Sequence, residues 1–189
     1  MNVNTFLDLA KSNTNLDDYG DDDFLIPLNI LVNSLNTEAK LSDIGRYQAE
    51  QSIVTNLEYR LKIQQYVNDH PEVHQQKVER PIFIAGLPRT GTTALLHLLN
   101  QDPSNHTLRL WEGRHPLPPP EEATYNSDPR IDIIKQEVEL TEEFMPGFSK
   151  AHLMEADEPD ECYLLFNRNF VSVEYLALFH LPSYAKWLY

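Results

Sequence analysis

Arg80-Pro81-Ile82-Phe83-Ile84-Ala85-Gly86-Leu87-Pro88-Arg89-Thr90-Gly91-Thr92-Thr93, continued by Ala94-Leu95-Leu96-His97-Leu98-Leu99, carries three signals in a row. A short apolar run from Ile82 to Ala85, bounded by Pro81 and Gly86, predicts a buried strand. Two glycines and three threonine hydroxyls come next in a loop. Ala94 to Leu99 then reads as helix, stopped near Asp102-Pro103. Strand, glycine loop and helix in that order make an anion cradle, because loop N–H groups and the positive end of the helix point to one place.

The spacing narrows the anion. The nucleotide-binding P-loop reads G-x-x-x-x-G-K-[ST]. Gly86, Gly91 and Thr93 match it, but Thr92 stands where the lysine belongs. That lysine reaches the terminal phosphates of a nucleoside triphosphate, so its replacement argues against ordinary ATP or GTP hydrolysis. The cation inside the loop is Arg89, a planar fork of donors instead of a point charge. A corner whose glycines only allow tight packing is the plainer alternative.

These residues resemble the phosphosulfate-binding loop of sulfotransferases that use 3′-phosphoadenosine 5′-phosphosulfate (PAPS). Gln101-Asp102-Pro103, Leu110-Trp111-Glu112, Pro118-Pro119-Pro120, Asp128-Pro129-Arg130 and Ala156-Asp157-Glu158-Pro159-Asp160-Glu161-Cys162 resemble the bacterial-type branch of that family, as does Asp21-Asp22-Asp23-Phe24 upstream. The resemblance implies an α/β fold, a parallel P-loop sheet flanked by helices. It implies PAPS as donor, no required metal, and a small-molecule acceptor. It places the donor's phosphosulfate on Leu87, Pro88, Arg89, Thr90, Gly91, Thr92 and Thr93. It also implies a catalytic base after the loop helix, glutamate or histidine, and Glu112 matches the glutamate version. The plainer reading of Glu112 is a surface carboxylate capping a turn.

The 189 residues hold 29 acidic and 15 basic side chains, a net charge of −14. That excess disfavours nonspecific binding to nucleic acid or to an anionic membrane, which needs clustered cations. A single cysteine, Cys162, excludes an internal disulfide and suits a reducing compartment; it is expected to be a small buried hydrophobe. With no signal peptide or membrane span in the sequence, the expected location is cytoplasmic.

Residues 1–79 are expected to form a helical region and residues 80–189 the first part of a P-loop sulfotransferase domain. Asp17, Asp18, Asp21, Asp22 and Asp23 lack the alternation of a calcium loop; they are expected to cap a helix through Leu28, Leu31, Val32 and Leu35. Ser42 to about Asp69 predicts one long helix with a stripe of Ile44, Tyr47, Ile53, Leu57, Leu61 and Val67, ended by Pro71. Thr107 to Leu110 is a possible second strand. His115 to Pro120 is extended and proline-rich. Asp128-Pro129 is a cap with proline at the first helical position, and Glu158-Pro159 repeats the device.

His152, with Glu155, has the spacing of a metal pair on a helix, but Pro159 makes the stretch loop-like. His152 is instead a candidate acceptor contact or alternative catalytic base. His97, among leucines, reads as structural. One convincing strand is too few for a parallel sheet. The chain is therefore expected to be the N-terminal part of a longer protein or a truncated reading frame. The motifs by which the family grips the 3′-phosphate are absent from it. The rival functions are a P-loop kinase or NTPase and a non-catalytic binding module.

Overall fold

A computed structural model of the chain describes residues 1–87, 90–147 and 154–189. The chain divides into two compact units: residues 1–77 with 163–189, and residues 78–162.

The first unit is built on three helices, α1 (Val3–Thr14), α2 (Leu25–Thr37) and α3 (Asp43–Asp69). Local chemistry sets their ends. The Asn2 side chain accepts the Thr5 N–H to open α1, and Asn15 closes it in the left-handed conformation, φ 55°. Ser42 opens α3 by accepting the Gly45 N–H, and Pro71 stands just past its end. Ile53, Leu57 and Leu61 of α3 pack into one core with Phe6 and Ala10 of α1 and with Leu28, Leu31 and Leu35 of α2. Ile44 and Tyr47, expected on that stripe, are exposed instead: at about 100° per residue they are turned about 140° and 80° from Leu57, away from the face that buries Ala49, Ile53 and Leu61.

Short helical pieces at Tyr163–Phe166, Glu174–Leu178 and Pro182–Leu188 complete this core through Phe170, Tyr175, Leu181 and Tyr184. The buried Tyr184 hydroxyl lies 2.8 Å from the Phe170 carbonyl, to which it donates, and accepts the Ser172 N–H at 3.0 Å. A buried phenol is thereby satisfied while it holds the chain around Phe170, whose φ is 58°.

The acidic stretch does not cap α2. That helix has Phe24 at its N-cap with no side-chain hydrogen bond. The aspartates are used across the fold. Arg60 of α3 donates to the Tyr19 carbonyl at 2.8 Å and to the Asp21 carbonyl and carboxylate at 3.0 Å, with its guanidinium 4.3 Å above the Phe24 ring. Asp18 accepts from Asn68 at 2.9 Å. The stretch is a strap fastened to α3 by one arginine and one asparagine.

The second unit holds α4 (Thr92–Leu99), α5 (Leu110–Arg114) and α6 (Pro129–Phe144). Asp128 caps α6 by accepting the Arg130 N–H at 2.9 Å, with Pro129 at the first position. Helix α5 packs on α6, and Leu110, Trp111, Ile131 and Ile134 are buried.

The expected parallel sheet is not found. Among the described residues there is no strand, only an isolated antiparallel bridge between Arg109 and Pro159. Residues 81–87 form no regular secondary structure and pair with no backbone among the described residues, and Phe83 is 86% and Ile82 63% exposed. A strand exists only as part of a ladder, and an apolar run between turn residues does not supply its partner. The possible strand at Thr107–Leu110 makes the bridge and then turns into α5. Pro159 stands in that bridge instead of opening a helix, and Cys162 is exposed, not buried. No helix among the described residues is long and apolar enough to cross a membrane.

Candidate functional site

The glycine loop leads directly into α4. Gly91 is the N-cap, with φ 93° in the left-handed region where a side chain would be strained. It brings no side chain to cap the helix, so the first-turn N–H groups of α4 remain available to an anion. At the other end of the loop, a Cβ on Gly86 would stand 2.9 Å from the Thr90 hydroxyl and 3.0 Å from the Thr92 methyl. The loop therefore closes on itself over Gly86, and Thr90 locks it by donating to the Leu87 carbonyl at 2.7 Å. Thr92 is half-buried, whereas Leu87, Thr90, Gly91 and Thr93 are exposed. Of the residues expected to hold the phosphosulfate, Pro88 and Arg89 lie outside the described residues, as does His152.

Helix α4 is tied to the chain beyond its C-terminal end. Asn105 donates to the Leu99 carbonyl at 3.0 Å and Thr107 to the Asn100 side chain at 2.6 Å. His97 lies 3.4 Å from the Glu158 carboxylate, and the Glu158 carbonyl accepts the Leu110 N–H at 3.2 Å. This path runs from the loop helix to the start of α5, where Glu112 sits.

Glu112 is buried, and its carboxylate is engaged on both oxygens. Oε2 accepts the Arg109 N–H at 2.8 Å and the Tyr125 hydroxyl at 2.7 Å; Oε1 lies 3.6 Å from His106 Nε2. Arg109 stacks its guanidinium 4.3 Å over the Tyr125 ring, and Trp111 and His106 tilt against that ring at 5.6 and 5.9 Å. Burial is the strongest influence on Glu112 and pushes its pKa up. His106, the Arg109 N–H and the Tyr125 hydroxyl together outweigh it, so the carboxyl sits below its ordinary 4.5. The same contact with Glu112 raises His106 above 6.5. Burial, then the bond to Glu112, pushes the Tyr125 phenol up. The arrangement is a buried carboxylate, ionised at neutral pH, joined to an imidazole.

The signs of these shifts fix a pH window. A lowered Glu112 stabilises the fold above pH 4.5 and loses that contribution as the pH falls through its folded value; a raised His106 contributes below pH 6.5 and loses it as the pH rises through its folded value. The stability difference between the wild type and Glu112→Gln is therefore expected to be largest between about pH 4.5 and 6.5 and to shrink on both sides. Thermal unfolding of both proteins across pH 3–9 checks this; a difference independent of pH would show that the ion pair contributes nothing to stability.

Sequence spacing singled out Glu112 but neither His106 nor Tyr125. No motif relates them: His106 precedes Glu112 by a loop and a bridge, and Tyr125 reaches it from a turn beyond the proline-rich segment. That segment is itself pinned by Arg130, which donates to the carbonyls of His115 and Pro118. Among the described residues no group of three or more His, Cys, Asp and Glu side chains is placed to hold a metal.

Comparison with known proteins bears on the whole chain. Two solved structures are similar to it over nearly its full length. Sulfotransferase STF1 from Mycobacterium tuberculosis H37Rv is 35% identical with a TM-score of 0.85, over 100% of this chain and 52% of that one. Sulfotransferase STF9 from Mycobacterium avium is 31% identical with a TM-score of 0.85, over 98% of this chain and 48% of that one. This chain thus spans about half the length of each. No curated protein sequence matches it. The profile of the sulfotransferase family matches residues 81–189, from the segment before the glycine loop onward, and the chain belongs to that family.

Proposed function

We propose that the chain provides the phosphosulfate-binding half of a sulfotransferase that moves a sulfuryl group from PAPS to an acceptor hydroxyl or amine. The observation that carries this reading is the loop from Gly86 to Thr93. Its helix starts on a left-handed glycine with its first-turn N–H groups open, and a threonine replaces the nucleotide-binding lysine. Such a cradle fits a bridging phosphosulfate, whose charge is spread over several oxygens, with Thr92 and Thr93 adding hydroxyls. PAPS supplies the activated sulfuryl group. The loop's donors hold its 5′ end and stabilise charge on the departing phosphate. Arg89 adds the cation. Glu112 marks the end of the site that takes the acceptor's proton.

Binding measured by calorimetry tests the donor. PAPS and its desulfated product are expected to bind, and ATP with Mg²⁺ is not. Arg89→Ala is expected to weaken PAPS binding about tenfold to a hundredfold, the loss of one charge-assisted contact. Unchanged affinity in that variant would place the phosphosulfate elsewhere. Binding of ATP with Mg²⁺ in preference to PAPS would turn the loop back into a nucleotide site.

A further inference from the structure

We infer that the helical unit carries a binding site of its own, a polar cleft along α1 that takes a short neutral saccharide. The cleft lies wholly within the unit of residues 1–77 and 163–189, and it does not depend on the transfer reaction.

Two hollows line up along α1. The first, of about 420 Å³, is bounded by Asn4, Asp8 and Lys11 of α1 and by Tyr19, Asp22 and Leu25 of the strap and the start of α2. The second, of about 260 Å³, lies between the chain's first residues and Asn29, Asn33 and Asn36 of α2. Asn4 borders both, so they form one cleft. From Val3 to Lys11 it follows eight residues of helix, about 12 Å, which suits about two or three sugar rings. Helix periodicity makes its walls. Asn4, Asp8 and Lys11 stand at i, i+4 and i+7 on α1, and Asn29, Asn33 and Asn36 repeat that spacing on α2. The floor is apolar: Val3, Leu7 and Leu25 are partly buried against the core, and Val32 is buried.

The walls share one chemistry. Apart from Lys11 and Tyr19, every polar side chain lining the cleft is asparagine or aspartate. Each ends in two adjacent polar atoms in one plane, which match the neighbouring hydroxyls of a vicinal diol. A carboxylate accepts from both hydroxyls; an amide accepts from one and donates to the other. Five amides against two carboxylates suit a ligand whose groups all donate and accept, as sugar hydroxyls do. Part of this capacity already orients the walls. Asn2 accepts the Thr5 N–H, Asn29 donates to the Leu25 carbonyl at 2.7 Å, and Asn36 donates to the Met1 carbonyl at 2.9 Å. The side chains of Asn4, Asp8, Asp22 and Asn33 have no hydrogen-bond partner among the described residues and are open to a ligand.

The same lining disfavours other ligands. Asp8 and Asp22 repel an anion. Lys11, 5.6 Å over the Tyr19 ring, opposes a polyamine. No group of three metal-binding side chains exists among the described residues. An apolar ligand would cover the amides without pairing them. A saccharide places hydroxyls on the walls and its carbon-bound hydrogens on the apolar floor. Tyr19 remains a neutral wall: burial, then the Asp8 charge, pushes its phenol up to about 12, and it donates to the Leu7 carbonyl at 2.8 Å.

NMR on the full chain tests this through the side-chain amide resonances of Asn4 and Asn33. Of maltotriose, cellotriose and chitotriose, at least one is expected to shift both resonances together and to saturate them at about millimolar concentration. Asn4→Ala and Asn33→Ala change exposed helical positions where alanine is the better helix former, so both are expected to keep the wild-type thermal midpoint or exceed it. Each is expected to weaken binding of that sugar about two- to tenfold, as for loss of one hydrogen bond. No saturable shift with any of the three sugars overturns the inference. Equal affinity in the wild type and both variants places the sugar elsewhere and overturns it as well. Spermidine is the cation probe; saturation of the same resonances by spermidine at lower concentration than by any of the sugars would make the cleft a cation site instead. PAPS binding is expected to be equal in the wild type and both variants, so failure of the saccharide site leaves the sulfotransferase reading standing.

Discussion

Arg130→Ala is expected to lower the unfolding free energy by about 3 kcal/mol, the cost of leaving one partner of a buried ion pair behind. The cause lies in the helix cap. Asp128 is half outside the helix it opens, yet it is buried, and its carboxylate is made tolerable by a two-pronged contact from Arg130, Nε to Oδ1 at 2.8 Å and Nη2 to Oδ2 at 2.6 Å. This guanidinium holds the Asp128 carboxyl below its usual range. It also covers the buried Trp111 ring at 4.5 Å and ties down the carbonyls of His115 and Pro118. Alanine strands a carboxylate and frees the proline-rich segment at once. Lysine is expected to recover little, because an ammonium cannot make the parallel fork and cover the indole together. Denaturant unfolding of Arg130→Ala and Arg130→Lys checks both statements. A loss under about 1 kcal/mol in the alanine variant would show the clasp to be dispensable, as most exposed ion pairs are.

Leu57→Ala is expected to cost about 3 kcal/mol in the other unit, the middle of the range for removing a buried leucine. Leu57 lies at the centre of α3 and is completely buried in the core shared by α1, α2 and the segment after residue 163. Helix α3 is 27 residues long and has much of its surface in solvent, so its docking depends on a few positions. Ile44→Ala is the control on the same helix. Ile44 is exposed at 73%, and its truncation is expected to change stability by less than about 0.5 kcal/mol. Comparable losses in the two variants would mean that the first turns of α3 are covered in solution.

The contrast between Ile44 and Leu57 follows from helical phase: at about 100° per residue Ile44 lies about 140° around α3 from Leu57, off the buried face, so strict spacing separates them. In the candidate site spacing reads only what is local. The glycine loop is legible because its spacing is local: Gly86, Gly91 and the threonines act within one turn of chain. Glu112 stands out by its position after the loop helix. Its neighbours do not, since His106 and Tyr125 reach it from separate loops, and no spacing rule links an imidazole, a phenol and a carboxylate so arranged. The aspartates before α2 mislead for the same reason. Acidic residues near a helix start suggest a cap, but Arg60, far along the chain, takes Asp21.

By itself the sequence determined the features whose cause lies within a few residues. These are the Ser42 cap and Pro71 stop of α3, the Asp128-Pro129 start of α6, and the glycine that turns the loop into α4. A cap, a locked proline φ and a left-handed glycine each act on their own backbone. Tertiary structure alone decided the rest. The apolar run at Ile82–Ala85 has no ladder partner among the described residues, the carboxylate of Glu112 is buried behind His106, and the segment from 163 to 189 joins the core of the first three helices. Each of these depends on a group distant in sequence. Pairing and burial are properties of what comes alongside, and a single segment does not encode its neighbour.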